Sequence, residues 1–230
     1  MALALAPDLY AAAIRRGRTF VQWQGRLDTL RAVLRGLPRD AELSGFGTTT
    51  AQHLGLLHWE RQADGILQVL ATASDTVFEG QTFFIPLSLY AAWAHQLRGD
   101  LPAARAAFDA ARTFVDSVLT ALPNDWRVHA ARGLALAGLG RRDAALQEAG
   151  WLERSVVYRG DALWGAPAAE DRARILAQAG EAEAALDEIE RLLAGPSWLS
   201  VHTLRLDPLF DPIREHPRFK TLVARYGAQN

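Results

Sequence analysis

The chain has 230 residues, half of them apolar, with 25 basic and 26 acidic side chains and no cysteine. That composition supports a packed core and excludes disulfides, thiolate metal sites and cysteine nucleophiles together. A net charge of −1 argues against nucleic acid as a partner.

The first residues, Met1 to Ala6, are apolar but lack the charged start and the apolar core of about 7–15 residues that a signal peptide needs. Helices are expected near 7–16 and 19–36, followed by a loop from Gly36 to Thr50. Paired helices follow at about 50–59 and 62–73, and a break from Ser74 to Gln81 leads to 86–98 and 101–121. Pro123-Asn124-Asp125 caps the next pair, 125–139 and 142–157; a longer link from Gly160 to Pro167 precedes 166–179 and 182–194. Gly195-Pro196 is a helix stop signal. Val201 to Asp207 reads as extended, and Asp207-Pro208 and Glu215-His216-Pro217 each open a short helix. No run alternates long enough to demand a sheet. The longest apolar stretch, Phe83 to Ala94, is interrupted by Pro86 and Ser88 and falls short of the ~20 residues of a bilayer span. The expectation is a cytoplasmic protein with no membrane partner. A single lysine, Lys220, among abundant arginine and alanine suggests a bacterial, GC-rich source.

Within this helical run one unit recurs. Gly99, Gly140 and Gly180 lie 41 and 40 residues apart, and each is followed four residues later by an alanine pair: Ala103-Ala104, Ala144-Ala145, Ala184-Ala185. Small residues stand seven positions upstream (Ala92, Gly133, Ala173). Apolar ones stand nine downstream (Phe108, Ala149, Ile189) and twelve downstream (Ala111, Leu152, Leu192). A fixed period of this size marks an array of supersecondary units. Apolar residues three and four apart on both sides of each glycine make each unit an antiparallel helical hairpin, with small residues where its helices cross. A weaker fourth copy, Leu54…Arg61…Ile66…Leu70…Ala73, puts arginine in the glycine slot.

These columns resemble the tetratricopeptide (TPR) repeat, whose usual period is about 34 residues. The tail, Leu204-Arg205-Leu206-Asp207-Pro208-Leu209-Phe210-Asp211-Pro212 with His216-Pro217-Arg218-Phe219, is similar to the segment that closes TPR regions in certain bacterial proteins. Those proteins carry a protein kinase, an adenylate-cyclase-like, a TolB-like or a winged-helix DNA-binding domain ahead of their repeats. Repeats and tail run from about Thr48 to the end, and residues 1 to 47 are too few for such a domain, so its activity is not carried over. The resemblance implies an all-α, right-handed superhelix of antiparallel helical hairpins, a TPR-like α-solenoid. Its parts are N-terminal helices over 1–47, four hairpins at about 48–85, 86–124, 125–165 and 166–200, and a capping segment over 201–230.

Catalytic and metal signatures do not assemble. Gly45-Phe46-Gly47 has no following lysine and reads as a plain loop. His53 and His58 lie five apart, which misses the same-face spacing of a zinc-binding His-Glu-x-x-His. His95 and His129 read as packed or surface residues. Asp187, Glu188 and Glu190 read as a solvated helix face. No catalytic residue, metal site or cofactor is assigned, and the chain reads as a non-enzyme. Residues 1 to 40 carry a net +4 and residues 165 to 200 a net −4, an asymmetry compatible with head-to-tail homo-oligomers but ordinary for solvated helices.

The TPR resemblance assigns certain first-helix positions to a concave groove. On this chain they are His58 and Trp59; Leu89, Trp93 and Gln96; Arg127, Ala130 and Leu134; and Glu170, Arg174 and Gln178. The slots used by TPRs that grip chaperone C-termini hold Leu89, Trp93, Ala131 and Asp171, so that clamp is absent. The groove is expected to bind a peptide or partner protein as an interaction scaffold, with Trp93 and Arg127 as its anchors, or to be partly filled by the N-terminal helices. Two rivals stand beside the scaffold: a regulatory receptor enclosing a small ligand or signal peptide, marked by a closed apolar pocket around Trp59 and Trp93, and an enzyme marked by a buried cluster of histidine and carboxylate within hydrogen-bond reach.

Overall fold

A computed structural model describes residues 9–38, 41–43 and 47–228. The protein is mostly helical, and among the described residues no helix is long and apolar enough to cross a membrane. Gly45 and Phe46 lie outside the described residues.

The chain opens with α1 (Tyr10–Gln24) and α2 (Asp28–Arg35). The break falls at Gly25, not between 16 and 19. Gly25 sits at φ 66°, in the left-handed region that suits glycine; its N–H closes α1 on the Val21 carbonyl and the following Arg26 N–H on the Phe20 carbonyl. Gly17, within the expected break, lies inside α1, where a Cβ would come within 2.9 Å of the Leu30 Cα. It is there to let α1 and α2 approach backbone to backbone.

Next come α3 (Thr49–Trp59), capped by the Thr48 hydroxyl accepting from Ala51 N–H, and α4 (Ala63–Leu70). Between them Arg61 adopts φ 56°, the same left-handed turn taken by Gly99 (74°), Gly140 (71°) and Gly180 (84°). The degenerate copy therefore turns as the others do, although a left-handed residue with a Cβ costs ~1–2 kcal/mol. Its side chain recovers part of that through a two-pronged ion pair to Asp211, at 2.7 and 2.9 Å.

A short antiparallel hairpin, β1 (Val77–Glu79) and β2 (Phe84–Pro86), occupies the expected break, with Phe78 opposite Ile85. Three-residue strands are too short to show alternation; burial of Phe78 and Phe84 anchors them. Three helix pairs follow: α5 (Leu87–Leu97) with α6 (Leu101–Leu119), α7 (Trp126–Gly138) with α8 (Arg142–Arg154), and, after the short α9 (Val156–Gly160), α10 (Gly165–Gln178) with α11 (Ala182–Ala194). α7 also packs on α6, and α10 packs on α7 and α8, so one apolar core runs from Ala51 to Val223. The small columns sit at its close crossings. Ala92, Ala173, Ala145 and Ala185 are wholly buried, and a Cβ on Gly133 would strike Ile175 Cδ1 at 2.5 Å. α9 shortens the expected 142–157 helix because Ser155 turns extended and caps a new start at Tyr158 N–H.

Val201–Leu206 is a helix, α12, and not an extended segment. A reciprocal capping box between Ser200 and Thr203 starts it. A 3₁₀ turn (Pro208–Ile213) and α13 (Pro217–Gly227) close the chain, with Phe210 and Phe219 buried.

The two ends of the chain meet. α1 packs on α12, Gln22 donates to the Trp198 carbonyl, and Gly25 abuts His202. With the Arg61–Asp211 pair, these contacts draw the N-terminal helices and the C-terminal segment together across the face that the four first helices share.

Candidate functional site

That face borders a partly open cavity of about 200 Å³. Helical periodicity builds its walls. Residues three and four apart share a helix face, so α3 contributes Gly55, His58 and Trp59, α5 Leu89, Tyr90 and Trp93, α7 Arg127, Ala130, Ala131 and Leu134, and α10 Pro167, Glu170, Asp171 and Arg174. The β-hairpin adds Thr82 to Ile85. α1 and α2 cover it with Arg18 and Leu30, and the C-terminal segment adds Trp198, Asp207 and Leu209.

The expected groove positions His58, Trp59, Leu89, Trp93, Arg127, Ala130, Leu134, Glu170 and Arg174 all line this cavity. Two do not. Gln96 is exposed one turn beyond it. Gln178 spends its amide on the Leu209 carbonyl at 2.7 Å and holds the C-terminal segment. Trp93 and Arg127, expected as anchors of a partner, both make contacts within the fold. Trp93 is 5% exposed and packs edge-on to Tyr90 and beside His58. Arg127 is tied to Asp125 and donates to the Gly80 carbonyl at 2.6 Å, bracing the β-hairpin. Both serve the fold before any partner.

The polar side of the cavity is organised by Arg174. Its Nε donates to Asp207 Oδ2 and one Nη to Asp171 Oδ1, both at 2.8 Å, while the other Nη meets Glu170 Oε1. Asp207 also caps Leu209 N–H. Burial acts to raise the Asp207 carboxyl, but Arg174 outweighs it and holds the group below its ordinary range. Asp171 goes the other way. Burial, reinforced by Glu170 and Asp207 and only partly opposed by Arg174, pushes it up to about 6. Across the cavity Arg18 donates to Gln52 Oε1 at 3.1 Å, lies 5.7 Å from the Trp59 ring centre and makes no ion pair among the described residues.

His58 sits on the floor, 7% exposed, with its ring 5.1 Å from Trp93 and 6.5 Å from Tyr90. Burial lowers its pKa to about 4, so the ring is neutral near pH 7. Neither ring nitrogen has a hydrogen-bond partner, and Nε2 lies 3.9 Å from Asp207 Oδ1, beyond hydrogen-bond reach. A histidine–carboxylate contact of bonding length, His129 Nδ1 to Glu148 Oε2 at 2.6 Å, lies elsewhere; the other nitrogen of that ring faces the Pro123 carbonyl, and its face stacks on Trp151 at 3.5 Å. It is a spent structural network. Among the described residues no group of three or more histidines and carboxylates is placed to hold a metal ion.

Glu188 corrects the reading of its stretch as a solvated face. It is 4% exposed and accepts from Tyr158, Arg172 and Arg191, whereas Asp187 and Glu190 do face outward, toward Arg218. Sequence reasoning missed Arg18, Tyr90 and Asp207 as cavity residues and treated Asp171 only as a failed clamp slot. Tyr90 and Asp171 each adjoin a groove position, which is a usable signal. Arg18 and Asp207 carry none, because they arrive from outside the repeats.

No protein-family model matches the chain, and neither does any curated protein or solved structure at a significant level.

Proposed function

We propose that the chain is a TPR-like array, a right-handed superhelix of antiparallel helical hairpins, that acts as a non-catalytic regulatory receptor enclosing a small ligand. The shared left-handed turns at Arg61, Gly99, Gly140 and Gly180 and the buried small columns support the repeat assignment. The observation that supports the function is the partial cover over the face that the first helices line. The N-terminal helices and the C-terminal segment meet over it and leave a cavity of about 200 Å³, small beside the ~300–1,000 Å³ of pockets for drug-sized ligands. A peptide lying along the groove, the scaffold reading, would first have to lift Arg18 off Gln52 and α1 off α12. A ligand seated inside contacts both ends of the chain at once, and its binding is expected to set how firmly those ends are held.

Gly55 gives the test. It lines the cavity, and a Cβ placed on it meets only the Tyr90 hydroxyl, at 3.9 Å. Gly55→Phe therefore projects a ring into the void without a backbone clash, while Gly55→Ala leaves the void open. In a thermal-shift screen of small molecules, true cavity ligands should stabilise the wild type and Gly55→Ala, by ~2.7 kcal/mol at a hundred times Kd, and lose their effect on Gly55→Phe. Ligands that stabilise Gly55→Phe equally would place binding elsewhere and refute the receptor.

A further inference from the structure

The cavity's charges do not balance. Arg127 is neutralised by Asp125. That leaves two guanidiniums, Arg18 and Arg174, against three carboxylates, Glu170, Asp171 and Asp207, with His58 neutral. Arg174 engages one oxygen of each carboxylate, and Glu170 Oε2 and Asp171 Oδ2 accept nothing among the described residues. A partly buried site with an excess carboxylate and two carboxylate oxygens not engaged by Arg174 favours uptake of a proton or a cation. The same cavity is lined by Trp93 and Tyr90, aromatic side chains of the kind whose ring faces attract cations. His58, nine-tenths buried on the same floor and unpartnered at both nitrogens, is a second unfilled polar position.

We propose that the ligand is a small organic cation, an amine or quaternary ammonium, whose charged head sits on the free oxygens of Glu170 and Asp171 and whose apolar body lies on Trp93 and Tyr90. This rests on the receptor reading above. Arg18 does not turn the site toward anions, because its charge is already counted and its guanidinium is held by Gln52 and Trp59.

Three probes of similar size, benzylammonium, benzyl alcohol and benzoate, separate the charge from the cavity in calorimetric titrations of the full chain. Benzylammonium should bind at least tenfold tighter than the other two. Asp171→Asn, which keeps the acceptor used by Arg174, should weaken it at least tenfold, as should Glu170→Gln, with circular dichroism checking that both variants fold. Asp171 is faced by Arg174 and Glu170 on its own helix, Asp207 from the C-terminal segment, and the cavity walls bearing Arg18, His58 and Tyr90. With its carboxyl near 6, affinity for the amine should fall about tenfold between pH 7 and pH 5, as protons compete for the same charge. Benzoate or benzyl alcohol binding as tightly as the amine, and losing its affinity in Gly55→Phe, would overturn the cation assignment and leave the receptor standing. Binding of none of the three also overturns the assignment, and the receptor then stands or falls on the wider screen against Gly55→Phe.

Discussion

Asp171→Asn should make the unliganded protein more stable at pH 7.5 and leave it unchanged at pH 4. The carboxyl's rise from 3.8 to about 6 corresponds to about 3 kcal/mol of unfavourable interaction between its ionised form and the cavity. Because the folded value lies above the unfolded one, the folded chain holds a proton between pH 4 and 6 that the unfolded chain has released. The resulting stability is complete below pH 4 and is lost as pH rises through 6. Asparagine cannot ionise and escapes that loss. The side chain keeps 17% of its surface accessible, so water softens the effect, and a gain of about 1–2 kcal/mol is expected, or ~2–8 °C in melting midpoint for a chain of this size. His58 acts in the opposite sense: with its folded value near 4, stability is lost as pH falls from 6.5 toward 4. Wild-type stability alone therefore mixes two opposed titrations, and the variant-minus-wild-type difference isolates Asp171. Melting followed by far-ultraviolet circular dichroism at both pH values measures it. A variant less stable than wild type at pH 7.5 would refute the argument, since it would make the Asp171–Arg174 pair net stabilising. A stabilised variant that no longer binds the amine would mark Asp171 as a charge kept for the ligand at a cost to the fold.

Two further outcomes test the architecture. Ala145, wholly buried on α8 at a close helix crossing, leaves no room for larger side chains, and Ala145→Leu should lower stability by roughly 1–3 kcal/mol in chemical denaturation; an unchanged midpoint would refute the packing of the small columns. Truncation after Ser200 removes the buried Phe210 and Phe219, the Asp207 carboxylate on Arg174 and the Asp211 partner of Arg61, and should give an aggregating protein by size-exclusion chromatography; a monomer with wild-type melting would refute the capping role.

The sequence by itself determined what depends on near neighbours in the chain. Helix pairs follow from apolar residues three and four apart, and their turns from a left-handed position every 40 or so residues. That geometry is local enough for Arg61 to adopt it at 56° where the other copies use glycine. The groove face was legible only through the TPR resemblance, which assigned Trp93, Ala130 and Arg174 to it, and all three line one cavity. Local signals also misled. A helix break was expected between 16 and 19, around Gly17, which serves close packing and not turning, and Val201–Leu206, expected to be extended, is started as a helix by a Ser200–Thr203 capping box. The partial cover over the cavity lay beyond any local pattern. It rests on contacts such as Arg61 with Asp211, 150 residues apart, and Gln22 with Trp198, 176 apart, which exist only once the folded chain has brought its ends together. The site's electrostatics followed from that cover. Asp171, Asp207 and His58 are ordinary residues in the sequence, and each departs from its usual pKa because tertiary burial strips its water and sets the same Arg174 among three carboxylates.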